Sequence, residues 1–81
     1  MATRRFDVVL TGCDAAGEYC ITFKVLAPDA VEAEILARAA AALQDIAVAT
    51  VASVDDLGPS PFEADGIRRV AGRTGKTYAG A

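Results

Sequence analysis

The fold is decided by residues 5–25, which read RFDVVLTGCDAAGEYCITFKV. Apolar and polar residues alternate on both sides of a central DAAG at residues 14–17, and this period of two is typical of β-strands. Asp at the first position of DAAG and Gly at the fourth favour a type I turn. The stretch therefore predicts a β-hairpin whose strands cover residues 5–11 and 19–27, the second strand ending at Pro28.

The register of this hairpin follows from the requirement that both apolar rows share one face. The rows consist of Phe6, Val8, Leu10, Tyr19, Ile21, Phe23 and Val25. A slip of one residue would turn one of the rows outward. The register that keeps them together pairs Cys13 with Glu18, Leu10 with Ile21, Val8 with Phe23, and Asp7 with Lys24. The last of these pairs also brings opposite charges together across the strands.

A helix is predicted over residues 30–44. Asp29 and Glu32 have the spacing of a capping box, and Glu34 and Arg38 are an i,i+4 ion pair. One broad arc of the helix holds Val31, Ile35, Leu36, Ala39, Leu43 and Ile46. We expect this arc to pack on the hairpin and to leave an outward face that is rich in alanine. The high helix propensity of alanine explains such a face, and the alternative is close docking of a partner.

A third strand is predicted over residues 47–54, which are rich in β-branched residues. A right-handed crossover through the helix would place this strand beside the first one. The predicted fold class is therefore α+β, with a β-hairpin, one amphipathic helix and a third strand in the antiparallel sheet order 2-1-3. Residues 1–65 form this single domain, and residues 66–81 form a short basic hairpin or arm that packs on it or extends from it.

The composition argues against most catalytic chemistry. The chain has no His, and so it lacks the usual general base near neutral pH and the commonest metal ligand. Cys13 and Cys20 match neither a C-x-x-C motif nor a four-ligand zinc set, and as diagonal neighbours in the hairpin they do not favour a disulfide. Residues 75–77 read GKT, but a phosphate-binding loop would need glycine in place of Val70. We expect no catalytic residue, no metal and no other cofactor.

Charge is distributed unevenly along the chain. Residues 7–65 hold all eleven acids and only two bases, whereas residues 66–81 hold four bases and no acid. Such a segment can contact nucleic-acid phosphates or an acidic protein, and the alternative is that it folds against its own acidic body. The candidate partner-binding residues in this segment are Arg68, Arg69, Arg73, Lys76 and Tyr78.

The outward face of the hairpin is the second candidate surface. Val9 and Thr22 lie there together with Thr11 and Cys20, and this face is more apolar than a solvated face requires. The C-terminal segment, a second copy of the chain or a target protein would cover it. Val9 and Thr22 are therefore also candidate partner-binding residues, and a homodimer would form through this face.

These observations favour a non-enzymatic protein-binding module, such as a regulator, adaptor or inhibitor, and small proteins of phage or mobile-element origin have this character. One alternative is a nucleic-acid-binding protein that uses residues 66–81, and another is a self-associating structural component. The chain shows neither an apolar run of membrane-spanning length nor a signal-peptide pattern. We therefore expect a cytoplasmic protein that does not bind membranes.

Overall fold

The computed structural model describes residues 3–60 and 66–79, and within these ranges it contains one helix and a five-stranded antiparallel sheet. In chain order the elements are β1 Arg4–Asp14, β2 Gly17–Ala27, α1 Ala30–Leu43, β3 Thr50–Pro59, β4 Arg69–Arg73 and β5 Thr77–Tyr78. The predicted α+β class is confirmed. No helix in the described part of the chain is long and apolar enough to cross a membrane.

Strands β1 and β2 form the predicted hairpin in the predicted register. Val8 lies opposite Phe23, and all the other predicted pairs are present. The turn is tight, because the Asp14 carboxylate accepts a hydrogen bond from the Ala16 backbone N–H at 2.8 Å. Gly17 closes the turn with a φ of +124°, a conformation that other residues rarely adopt.

The helix α1 begins as predicted and packs on the sheet with the face opposite to the predicted one. The Asp29 carboxylate caps it by accepting a hydrogen bond from the Glu32 backbone N–H at 2.9 Å. The helix residues without exposed surface are three of its alanines, Ala33, Ala37 and Ala41. From the predicted arc, Leu36 and Ile46 pack partly against the core, whereas Val31, Ile35, Ala39 and Leu43 are exposed.

The burial of the alanine face of α1, and not of the predicted face, has a steric explanation. The sheet directs large side chains toward the helix, and its largest fully buried residues are Phe6, Phe23, Leu10, Ile21, Val8 and Val25. Because protein interiors are close-packed, a surface already filled by such side chains leaves little depth for those of the helix. Alanines let the helix backbone approach this surface closely.

Strand β3 lies beside β1 as predicted, but it is displaced along the chain from residues 47–54 to Thr50–Pro59. The preceding residues cross the end of the hairpin, where the Tyr19 hydroxyl donates a hydrogen bond to the Ala47 carbonyl at 2.7 Å. Gly12 lies directly beneath this crossing. A Cβ atom at Gly12 would collide with the same carbonyl oxygen and with the Tyr19 ring.

Asp55 and Asp56 lie beyond the predicted end of the third strand at residue 54, but in the structure they are inside β3. The Arg4 guanidinium of β1 donates a hydrogen bond to the Asp56 carboxylate at 2.9 Å. This bond, and a second one from the Gly58 backbone N–H, lower the pKa of Asp56 below its ordinary value. The neighbouring strand thus supplies a cation for Asp56.

The C-terminal segment pairs with the outer edge of β2. The strand order is β3-β1-β2-β4, and β5 also pairs with β2, so the predicted order 2-1-3 is incomplete. Between β4 and β5, the Thr74 backbone N–H donates to the Thr22 carbonyl at 2.9 Å. The segment is therefore neither a separate hairpin nor a free arm, because β4 and β5 follow one another along β2. The predicted domain boundary at residue 65 lies outside the described residues.

Candidate interaction surface

The predicted basic residues of the C-terminal segment are exposed, and they contact polar groups of the same chain. The Arg68 Nε atom lies 3.8 Å from a Glu32 carboxylate oxygen. The Arg73 Nε donates a hydrogen bond to the Gln44 side-chain carbonyl. Arg69 begins β4, where its backbone lies opposite Leu26 of β2. These contacts favour the alternative in which the basic segment folds against its own acidic body.

Lys76 and Tyr78 belong to a polar cluster centred on Asp14. The Asp14 carboxylate accepts hydrogen bonds from the Lys76 ammonium at 2.9 Å and from the Tyr78 hydroxyl at 2.7 Å. The Lys76 ammonium also lies 4.5 Å from the centre of the Tyr19 ring, which meets the Tyr78 ring edge to face. This Asp14 cluster ties β5 to the turn of the hairpin.

The pKa values in the Asp14 cluster are shifted by these hydrogen bonds. The bond from Lys76 first, then the bond from Tyr78 and the backbone N–H of Ala16, lower the pKa of Asp14 to about 2. The hydrogen bond to Asp14 in turn raises the pKa values of Lys76 and Tyr78. Each shift favours the charge state that these hydrogen bonds require, which is an ionised Asp14, a protonated Lys76 and a neutral Tyr78.

Replacing Asp14 with Asn is expected to make folding less sensitive to acid. The folded-state pKa of about 2 lies below the ordinary value of 3.8. The stabilisation from ionised Asp14 is therefore complete above pH 3.8 and disappears as the pH falls toward 2. Urea unfolding at several pH values should show the stability difference between wild type and Asp14→Asn shrinking across this window. A difference that stays constant would contradict this role of Asp14.

Val9 and Thr22 lie opposite each other on the outward face of the hairpin, as the register predicted. Both are half-buried. The C-terminal segment lies along the edge of the sheet at this point, since the Thr22 backbone N–H donates to the Thr74 hydroxyl at 3.0 Å. The structure brings Thr22 next to the C-terminal segment but does not identify an occupant for the outward face.

Two open cavities lie on the sheet. One, of about 300 Å³, is lined by Thr11, Cys13, Glu18, Cys20 and Ala79. The other, of about 220 Å³, lies beside Arg5, Asp7, Lys24 and Leu57. Among the residues that the structure describes, no three His, Cys, Asp or Glu side chains are placed to hold a metal ion. Both cysteines are free thiols on the surface.

The outward face of α1 is apolar. The sequence pattern places its larger side chains against the sheet, whereas in the structure they are exposed. The exposed fractions of Val31, Ile35 and Leu43 are 72%, 54% and 88%. Exposed Ala39 and Ala42 lie between them on the same outward half of the helix. We call these five residues the α1 stripe. Single exposed apolar residues are common, whereas contiguous rows of them occur less often on the surface of a monomer.

The α1 stripe can supply a modest binding energy. Full burial of a Val, Ile or Leu side chain contributes about 1.5–3 kcal/mol, so covering the exposed parts of the three large side chains would contribute roughly 3–6 kcal/mol. Association itself costs about 4–15 kcal/mol in lost freedom of motion. A partner therefore binds tightly only if it also contributes apolar surface of its own.

Comparisons with known proteins add no family assignment. No protein-family model, no curated protein and no solved structure matches the chain. The function is therefore inferred from the surfaces of the chain itself. Among the described residues, three of the four large apolar side chains that are exposed lie in the α1 stripe.

Proposed function

We propose that this chain is a non-enzymatic protein-binding module that contacts its partner through the α1 stripe. The observation behind the proposal is the orientation of α1, in which alanines are buried and larger apolar side chains are exposed. Exposed Val, Ile and Leu side chains gain free energy when a partner removes them from water. A helix face of this kind is recognised when it lies in an apolar groove or against another helix.

The contacts of the basic segment support placing the interaction on α1 and not on residues 66–81. Arg68, Arg73 and Lys76 already contact groups of the same chain. A nucleic acid would have to compete with these contacts and approach a body with a large excess of acids. A partner at the α1 stripe does not have to displace these contacts.

The proposed mode of action is occupation of a partner's surface, as in regulators, adaptors and inhibitors. Such a role needs a stable scaffold and an exposed contact face, and it needs no reactive group. The hairpin, β3 and the C-terminal segment form the scaffold on which α1 is held. Free thiols at Cys13 and Cys20 fit a reducing, cytoplasmic compartment.

The double variant Ile35→Gln, Leu43→Gln is expected to lose its bound partner while it keeps its fold. Both side chains are largely exposed, and substitutions at such positions usually change stability by less than about 0.5 kcal/mol. Quantitative capture from nuclease-treated lysate, followed by mass spectrometry, would compare the proteins retained by wild type and by the variant.

The matched control replaces Arg68, Arg69, Arg73 and Lys76 with Gln. It removes the positive charge from the C-terminal segment and leaves the α1 stripe intact. We expect this control to retain the wild-type partners and to lose only a little stability, because exposed ion pairs are screened by solvent and contribute little. If the control loses the partners and the stripe variant retains them, the proposed function is wrong.

A further inference from the structure

We propose that the occupant of the α1 stripe is a second copy of this chain, with the two α1 helices packed antiparallel about a two-fold axis. The inference rests on the proposed function, because it assigns a partner to the same stripe. The axis passes at the level of Ala37, midway along the helix between Val31 and Leu43. In this arrangement Val31 of each copy meets Leu43 of the other, and Ile35 meets Ala39.

The shape of the α1 stripe is self-complementary in this orientation. Its large side chains are Val31, Ile35 and Leu43, and its small ones are Ala39 and Ala42. Ile35 and Ala39 lie at equal distances from the axis, on opposite sides of it. Antiparallel packing sets each Ile35 against an alanine, so the two helices can interdigitate at close distance. Parallel packing would instead place Ile35 against Ile35 and Ala39 against Ala39. The two isoleucines would crowd each other, and a gap would remain between the two alanines.

Charges around the stripe favour the same orientation. The N-terminal half of α1 and its surroundings carry a net charge of −2, from Asp29, Glu32, Glu34 and the Arg68 that contacts Glu32. The C-terminal half carries a net charge of +1, from Arg38, Asp45 and the Arg73 that contacts Gln44. An antiparallel pair places the negative half of one copy beside the positive half of the other. The helix dipoles are also opposed in this arrangement.

The size of the contact predicts weak and reversible association. The 14 residues of α1 make a helix about 21 Å long, and a contact along one such face falls in the class of small interfaces below about 1,200 Å². The second copy meets the requirement for additional apolar surface, because each protomer contributes an identical stripe. We expect a monomer–dimer equilibrium with a dissociation constant in the micromolar range or weaker, because the two stripes contribute little more than association costs.

Sedimentation velocity on the full chain, from about 1 μM to about 500 μM, tests the dimer. Wild type should pass from monomer to dimer over this range. The single variants Val31→Lys and Leu43→Glu should each weaken association at least tenfold, because each puts a charge against an apolar side chain at both ends of the contact. Val9→Lys tests the other predicted homodimer face, on the outward side of the sheet, and a dimer that forms through α1 should not respond to it.

Mixing the two charged variants tests the antiparallel register. In a mixed dimer the introduced Lys at position 31 faces the introduced Glu at position 43, and the other end keeps its native Val31–Leu43 contact. An equimolar mixture should therefore regain dimer at concentrations where each variant alone is monomeric. A parallel pair would bring position 31 to position 31, so mixing would only relieve like-charge repulsion and would form no Lys–Glu contact and no native Val31–Leu43 contact.

The outcomes separate this inference from the proposed function. A wild-type chain that stays monomeric at about 500 μM overturns the second copy as occupant, as does a dimer that Val9→Lys dissociates or that both stripe variants retain. The dimer can be overturned in this way while the chain still captures a protein that the Ile35→Gln, Leu43→Gln variant does not retain. In that case the proposed function stands, and the partner is a different protein. If capture is also unchanged, both proposals fall.

Discussion

Replacing Phe23 with Ala is expected to lower the free energy of unfolding by about 3–5 kcal/mol. Phe23 has no exposed surface and lies in β2, between β1 and β4. Its removal leaves a cavity under α1 that alanine side chains cannot fill. Domains of this size are stabilised by roughly 4–12 kcal/mol in total, so the loss is a large fraction of the whole. Urea titration followed by circular dichroism measures the loss.

The control for Phe23→Ala is Lys24→Ala at the next position of the same strand. Lys24 is exposed and forms an ion pair with Asp7 at 3.1 Å, which contributes about 0–1 kcal/mol at most sites of this kind. A Phe23→Ala variant whose thermal midpoint stays within a few degrees of wild type would show that the core does not depend on this ring.

Replacing Ala37 with Leu is expected to destabilise the chain by about 1–3 kcal/mol or more, because it overfills the contact between α1 and the sheet. Ala37 is completely buried at that contact. The larger side chain either takes a strained rotamer or pushes the helix away from Phe6 and Phe23. Thermal unfolding at about 5 μM measures the effect at a concentration where the monomer dominates.

The matched control is the same substitution at Ala39, two residues further along α1. Ala39 is exposed, so Ala39→Leu should change stability by no more than about 0.5 kcal/mol. Both changes have the same small effect on helix propensity. The pair therefore tests the orientation of α1 directly. Greater destabilisation from Ala39→Leu than from Ala37→Leu would mean that the helix presents its other face to the sheet.

The candidate site could be predicted only in part. The row of Val31, Ile35 and Leu43 is visible as a helical arc in the sequence, but the arc was assigned to the core. The basic residues were identified as candidates with two alternative roles, contact with a partner or contact with the chain's own acidic body. The structure places Arg68 and Arg73 beside polar groups of the same chain. Partner contacts at Val9 and Thr22 stay predictions.

The sequence by itself determined the features that depend on near neighbours. Alternation, the DAAG turn and the opposite charges of Asp7 and Lys24 were sufficient for the hairpin and its register. The Asp29 cap and the Glu34–Arg38 pair were sufficient for the helix and its start. All of these depend on strand or helix period and on contacts within one turn or one hairpin, which can be counted along the chain.

Only the tertiary structure decided the orientation of α1 and the position of the C-terminal segment. The Asp14 cluster joins residues 62 and 64 positions apart, and no local pattern encodes such a contact. Hydrophobicity on its own favours burial of the larger arc of α1. Phe6, Phe23 and Ile21 fill the face of the sheet and leave little space between it and the helix, which favours alanine there. That face forms only after the strands have paired.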